Sequence, residues 1–272
     1  MPGAGDRATN RHEPAEPTPA GSCRPVPGEA IVDGMTGRLS CPTFIGRTRE
    51  LARLDEALER AREGTPVVVA VGGEAGVGKT RLVDELVARS QATGATVLTG
   101  GCIGLGEDGV PFAPVVEALR TTLRTMEPEA VERWFGHARA ALAGLLPELG
   151  AAGPAGDPRE LDPATGQGRM FELLLGVLER LTAERSAVLV VEDLHWADHS
   201  TRDLLAFLIR NLRHGRLLLV LTYRTDELHR RHPLRPFLAE LDRSWWVERL
   251  ELQRFERSEL VAQVGRGWRV TA

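Results

Sequence analysis

The residues best suited to chemistry lie in the octapeptide GEAGVGKT at positions 73–80, which holds the one lysine of a chain whose Lys and Arg together number 34. Gly73, Gly78, Lys79 and Thr80 have the spacing G-x-x-x-x-G-K-[ST], in which a tight turn exposes successive backbone N–H groups to phosphate oxygens. Glycine is needed where the chain turns tightly and where the backbone meets an anion closely, and Gly76 adds to that freedom. The helix that follows offers unpaired N–H groups and the positive end of its dipole. A slim ammonium on a flexible stem can reach β- and γ-phosphates as a point charge, which a planar guanidinium cannot do as well. Coding bias accounts for arginine elsewhere, and Lys79 marks a position where chemistry overrode it. Thr80 offers a hydroxyl to Mg²⁺. The candidate phosphate-binding set is therefore Gly73, Glu74, Ala75, Gly76, Val77, Gly78, Lys79, Thr80 and Arg81.

Phosphate chemistry also needs acids, and VLVVEDLHWAD at 188–198 supplies them. Four apolar residues deliver Glu192 and Asp193 to the C-terminal end of a strand, the edge where parallel α/β sheets bind ligands. One carboxylate can hold Mg²⁺ and the other can orient or deprotonate attacking water. Thr222 and Arg224, in LLLVLTYRTDE, end the next apolar run, where Arg224 either senses a γ-phosphate or is a surface arginine. His195 and His199 are four apart, but no third ligand is spaced nearby, and Ser200 with Asp203 reads as the capping box of a helix that starts after both. The pair Trp245-Trp246 reads as core or interface.

These side chains need a scaffold, and the pattern supplies one. Apolar runs at 67–71, 95–99, 187–191, 217–221 and 246–252 read as strands. Leu51, Leu54 and Leu58 mark a helix before the first strand. Leu82, Val83, Leu86 and Val87 mark a helix after the loop, and Phe171, Leu174, Leu175, Leu178 and Leu181 mark another before the third strand. Five short strands separated by helices imply a parallel sheet covered on both faces. Residues 111–150 read as a helical insertion, 150–162 as a Gly/Pro/Ala loop, and 257–264 as a short final helix.

The 272 residues, 42% hydrophobic, support one medium-sized domain with tails. Residues 1–40 hold six Pro and six Gly without apolar periodicity and read as disordered, and Met35 is a second candidate start. A net charge of -4 gives no global attraction to nucleic acid or anionic lipid. Cys23, Cys41 and Cys102 are odd in number and scattered, which reads as a reducing compartment, and no run reaches membrane-spanning length. A cytoplasmic protein follows.

FIGRTREL at 44–51, GEAGVGKT, VVEDLHWADHST and LTYRTDEL occur in the order and spacing of the STAND subgroup of AAA-like ATPases. The chain resembles the ATPase domain of large ATP-binding LuxR-type transcriptional regulators over about residues 43–265, leaving tails at 1–42 and 266–272. The resemblance implies an α/β P-loop NTPase three-layer sandwich with sheet order 5-1-4-3-2. It implies phosphate contact by Gly78, Lys79 and Thr80, Mg²⁺ and catalysis at Glu192 and Asp193, sensing by Arg224, and pocket closure by Gly46 and Arg47. The sequence departs from the commonest pattern in placing Glu first of the two acids, one methylene longer than Asp. Such regulators continue into a winged helix, repeats and a DNA-reading module, which this sequence lacks. That predicts a truncated regulator or a nucleotide module acting through a protein partner or a second copy. An oligomeric remodelling or DNA-loading ATPase and a small-molecule kinase are the alternatives.

Overall fold

The computed structural model describes residues 44, 46–104, 110–150, 163–244 and 246–255. The chain runs α1 (Thr48–Arg62), β1 (Val67–Gly73), α2 (Lys79–Ala92), β2 (Thr96–Gly101), α3 (Ala113–Leu123), α4 (Pro128–Phe135), α5 (Arg139–Leu142), α6 (Pro163–Glu184), β3 (Ala187–Glu192), α7 (His199–Asn211), β4 (Leu217–Arg224), α8 (Leu234–Leu241) and β5 (Val247–Leu252). The five strands form one sheet in the order β2-β3-β4-β1-β5, and every neighbouring pair is parallel. This is the expected order 5-1-4-3-2.

The strand sequences explain why both faces must be covered. All seven residues of β1 are buried, and side chains alternate between faces along a strand. Val67, Val69 and Val71 join Val188, Val190, Leu218 and Val220 in a core shared with Leu54 and Leu58 of α1 and Leu82 and Leu86 of α2. Val68 and Ala70 join Leu189, Val191, Leu219 and Leu221 in a second core shared with α3, α6, α7 and α8. Three layers result, with helices on each face of a sheet whose central strands are apolar on both sides. A buried leucine such as Leu54 or Leu82, both at 0% exposure, contributes about 2–5 kcal/mol relative to alanine.

Strand ends extend past the apolar runs. Gly72, Gly73, Gly100, Gly101, Tyr223 and Arg224 continue the ladders, because a neighbouring backbone, and not side-chain hydrophobicity, carries the pairing. Between β2 and α3 the packing is backbone on backbone: a Cβ on Gly100 would lie 1.8 Å from the carbonyl oxygen of Pro114. The expected insertion forms α3, α4 and α5, and its Leu142, Leu146 and Leu149 enter the second core.

One expectation is corrected at α7. Asp198, not Ser200, caps this helix: its carboxylate accepts from the amides of Ser200 (2.9 Å) and Thr201 (3.3 Å) and from the Thr201 hydroxyl. The helix therefore starts at His199, and Asp203 pairs with His199 at 3.2 Å instead of closing a capping box. Aspartate wins because its carboxylate serves two amides at once. The predicted tail 1–42, most of the loop 150–162, the helix 257–264, the tail 266–272 and Trp245 lie outside the described residues. Among the described residues, no helix is long and apolar enough to cross a membrane.

Candidate functional site

The residues that end β1, β3 and β4, singled out by the sequence for chemistry, meet at the C-terminal edge of the sheet. The chain leaves β1 at Gly73, turns, and enters α2 at Lys79 with Gly78 as N-cap. Gly76 and Gly78 have φ of +72° and +100°, and a Cβ on either would meet nothing within 4 Å. Dihedral freedom, and not crowding, demands glycine there, since an L-residue in the left-handed region costs about 1–2 kcal/mol. Ala75 and Gly76, at the tip of the turn, are exposed.

Lys79 is 7% exposed. Its ammonium donates to the carbonyls of Gly73 and Glu74, both at 2.8 Å, so the side chain closes the loop that precedes it. Burial, and then the nearby Arg224 charge, pull its pKa below the usual lysine value, with Asp193, Asp226 and Glu227 opposing. Thr80 is exposed in the first turn of α2, where the helix leaves N–H groups unpaired.

Parallel pairing brings β4 alongside the loop. Gly73 is in register with Arg224, and the Thr225 amide donates to the Gly73 carbonyl at 3.2 Å. Arg224 bonds Glu227 through Nη1 to Oε1 at 2.6 Å, and its guanidinium carbon lies 5.2 Å from the Trp196 ring centroid. Glu192 ends β3, and its carbonyl accepts from the Cys102 amide at 2.9 Å. Asp193 leaves the sheet in the left-handed region, φ 54° and ψ 44°. Its amide donates to the Thr222 hydroxyl at 3.0 Å, so Thr222 fixes the end of the neighbouring strand. His195, in the short turn after Asp193, is buried; Nδ1 is 3.9 Å from Asp193 Oδ1 and Nε2 is 3.4 Å from Glu227 Oε2. Burial lowers its pKa against the pull of the two carboxylates. His199 is exposed and turned to Asp203, so the two histidines do not converge.

On the other flank, Arg47 is 8% exposed and precedes α1 with φ 55°. It bonds Glu50 at 2.9 Å, the Val77 carbonyl at 3.3 Å and the Gln253 carbonyl, with the Phe255 ring centroid 4.3 Å away. A Cβ on Gly46 would lie 2.8 Å from that ring. Arg254 reaches the Glu74 carboxylate at 2.6 Å. Arg47 and Gly46 thus stand beside the loop, held by the chain that leaves β5.

The sequence reading missed Glu227, the placement of His195 between two acids, and the clasp on Gln253 and Phe255. Opposite charges three apart at 224 and 227 were a usable signal for Glu227, whereas the clasp joins residues 206 apart and left none. The donor set suits a magnesium nucleotide. Main-chain amides at a helix N-terminus and an ammonium are phosphate-binding groups, and a hydroxyl with one or two carboxylates matches the few protein ligands Mg²⁺ takes beside phosphate. Among the described residues, no group of three or more His, Cys, Asp or Glu side chains could hold a metal without such help.

A family model described as an AAA ATPase domain matches residues 43–221. An uncharacterised protein of Rhizobium meliloti (strain 1021) is 31% identical over 228 residues, covering 76% of this chain and 21% of that protein. Among solved structures, a RuvB variant of Thermotoga maritima aligns with a TM-score of 0.41 and 18% identity, over 82% of this chain and 50% of that one. AMPPCP-bound DnaA from Aquifex aeolicus aligns with a TM-score of 0.43 and 11% identity, over 85% and 54%. The chain spans about a fifth of the curated relative and about half of each solved chain.

Proposed function

The chain belongs to the AAA ATPase domain family, and from that premise we propose that it is an ATP-binding, slowly hydrolysing switch domain of a STAND-type signalling or transcription regulator. The observation that carries this reading is Lys79, whose ammonium closes the glycine loop at 2.8 Å from two carbonyls while its charge is felt alongside those of Arg224 and Asp193. An ammonium, a guanidinium and a carboxylate gathered at a helix N-terminus on a sheet edge suit a nucleoside triphosphate.

In this reading the amides of 73–80 and Lys79 hold the β- and γ-phosphates, and Gly46 and Arg47 close the pocket. Thr80, Glu192 and Asp193 would hold Mg²⁺, which when bound neutralises developing phosphate charge. One carboxylate of the Glu192–Asp193 pair accepts the proton of the attacking water. Arg224 contacts the terminal phosphate and is released from it after hydrolysis, so the domain differs between its ATP and ADP forms. A cytoplasmic protein acting through a protein partner or a second copy is the matching context.

Calorimetric titration with ATP and ADP, with and without Mg²⁺, tests the reading. Magnesium-dependent ATP binding that Lys79→Ala weakens supports it, and release of free phosphate from labelled ATP, without transfer to an acceptor, separates a switch from a kinase. A folded chain that binds no nucleoside triphosphate would overturn it.

A further inference from the structure

His195 is an expensive residue for its position. Its side chain is fully buried, and neither ring nitrogen makes a well-formed hydrogen bond. Buried polar groups are normally hydrogen-bonded, so an imidazole without such a bond calls for a reason. Yet each nitrogen faces a carboxylate, Nδ1 towards Asp193 Oδ1 at 3.9 Å and Nε2 towards Glu227 Oε2 at 3.4 Å. The second gap is a few tenths of an ångström beyond a bonded distance. Glu227 uses its other oxygen, Oε1, on Arg224.

A neutral imidazole carries one N–H, so it can donate to one of these carboxylates at a time, and the other then meets a lone pair. The ring is a single connection with two ends, one at the acid that follows β3 and one at the partner of the arginine that closes β4. Trp196 bounds the same group, with its ring 4.7 Å from His195 and 5.2 Å from the Arg224 guanidinium carbon, which limits where Arg224 can go.

We propose that His195 is a positioning residue that couples Asp193 to Arg224 through Glu227, so that the acid and the arginine change their engagement together. When His195 donates to Glu227, it fixes the carboxylate that fixes Arg224. When it donates to Asp193, Glu227 is freed and Arg224 with it. The inference rests on the nucleotide-site reading above and adds the element by which the presence of a terminal phosphate at one strand end is felt at the other.

The test is the ratio of ATP to ADP affinity, measured by calorimetry in the presence of Mg²⁺, which reads Arg224 without relying on turnover. His195→Leu lowers the preference for ATP about tenfold and leaves ADP affinity within about twofold, because the phosphate loop is untouched. His195→Gln, which keeps a donor and an acceptor, retains the preference within about threefold. Glu227→Gln, at a half-buried position, lowers it as His195→Leu does, and the double variant loses no more than either single one, as residues in one chain of contacts should. A preference unchanged in His195→Leu, an equal loss in Leu and Gln, additive losses in the double variant, or equal wild-type affinity for both nucleotides each overturn the relay. If His195→Leu does not fold, His195→Phe takes its place with the same loss expected, because Glu227→Gln also alters the direct bond to Arg224. Loss of Lys79 dependence would point instead to the underlying reading of the site, since Lys79, and not His195, closes the loop.

Discussion

Replacing Lys79 by alanine separates the two duties the structure gives this side chain. The ammonium has three donors, two of which are held by the Gly73 and Glu74 carbonyls. A charge-assisted hydrogen bond contributes about 1.5–3 kcal/mol, so loss of the remaining donor and of the charge facing phosphate weakens ATP by about 2–3 kcal/mol, roughly 30- to 150-fold. Stability without nucleotide changes much less, because the lost bonds are offset by removing a cation whose burial already depresses its pKa. At a ligand concentration of about 100 times the wild-type Kd, ATP stabilises the wild type by about 2.7 kcal/mol. At the same concentration a variant weakened about 100-fold gains about 0.4 kcal/mol. For a domain of this size 1 kcal/mol moves Tm by about 2–4 °C, so thermal melts should show an ATP-induced rise of about 5–11 °C in the wild type and about 1 °C in Lys79→Ala. Equal ATP-induced rises in the two proteins, or a variant whose own Tm collapses while its ATP affinity holds, would refute the reasoning.

Gly100→Ala forces a methyl group to 1.8 Å from the Pro114 carbonyl oxygen, so α3 must leave β2. Overpacking of this kind costs about 1–3 kcal/mol or more, read as a urea midpoint clearly below wild type; an unchanged midpoint contradicts the packing. Asp198→Ala removes the cap of α7 and lowers stability by about 2 kcal/mol, at the upper end for a cap, with Asp198→Asn milder; the two variants melting alike would count against the capping geometry. Burial first, and then the Asp198 and Asp193 charges, push the Cys102 thiol up to about 12 from 9.0. Its share of stability is therefore full below pH 9, where folded and unfolded thiols are both neutral, and is lost as pH climbs from 9 towards 12. Iodoacetamide at pH 8 should leave Cys102 unmodified in the native protein and label it in urea, as mapped by peptide mass spectrometry.

Local signals made the strands and the loop legible. An unbroken apolar run such as Val67–Val71 has one sensible home between two helical layers, and the spacing of Gly73, Gly78, Lys79 and Thr80 needs no tertiary information. The cap of α7 was misread because Asp198 and Ser200 both satisfy the local rule, and the choice was made by which side chain reached two amides and the Thr201 hydroxyl. Glu227 and the placement of His195 were missed for a different reason. Their significance comes from β3 and β4 ending side by side in a parallel sheet, and a residue whose partners lie on another strand leaves no periodic trace of its own.

The clasp on Arg47 also bears on how the protein is made. β1 delivers the glycine loop, but one of its two neighbours is β5, and Arg47 finds its Gln253 partner 206 residues later. A ribosome releases β1 well before β5, so until residue 253 has emerged β1 keeps an uncovered edge and the loop lacks its brace. Competence to grip a nucleotide is thus acquired late and cooperatively, which makes ligand capture a report that synthesis has passed β5.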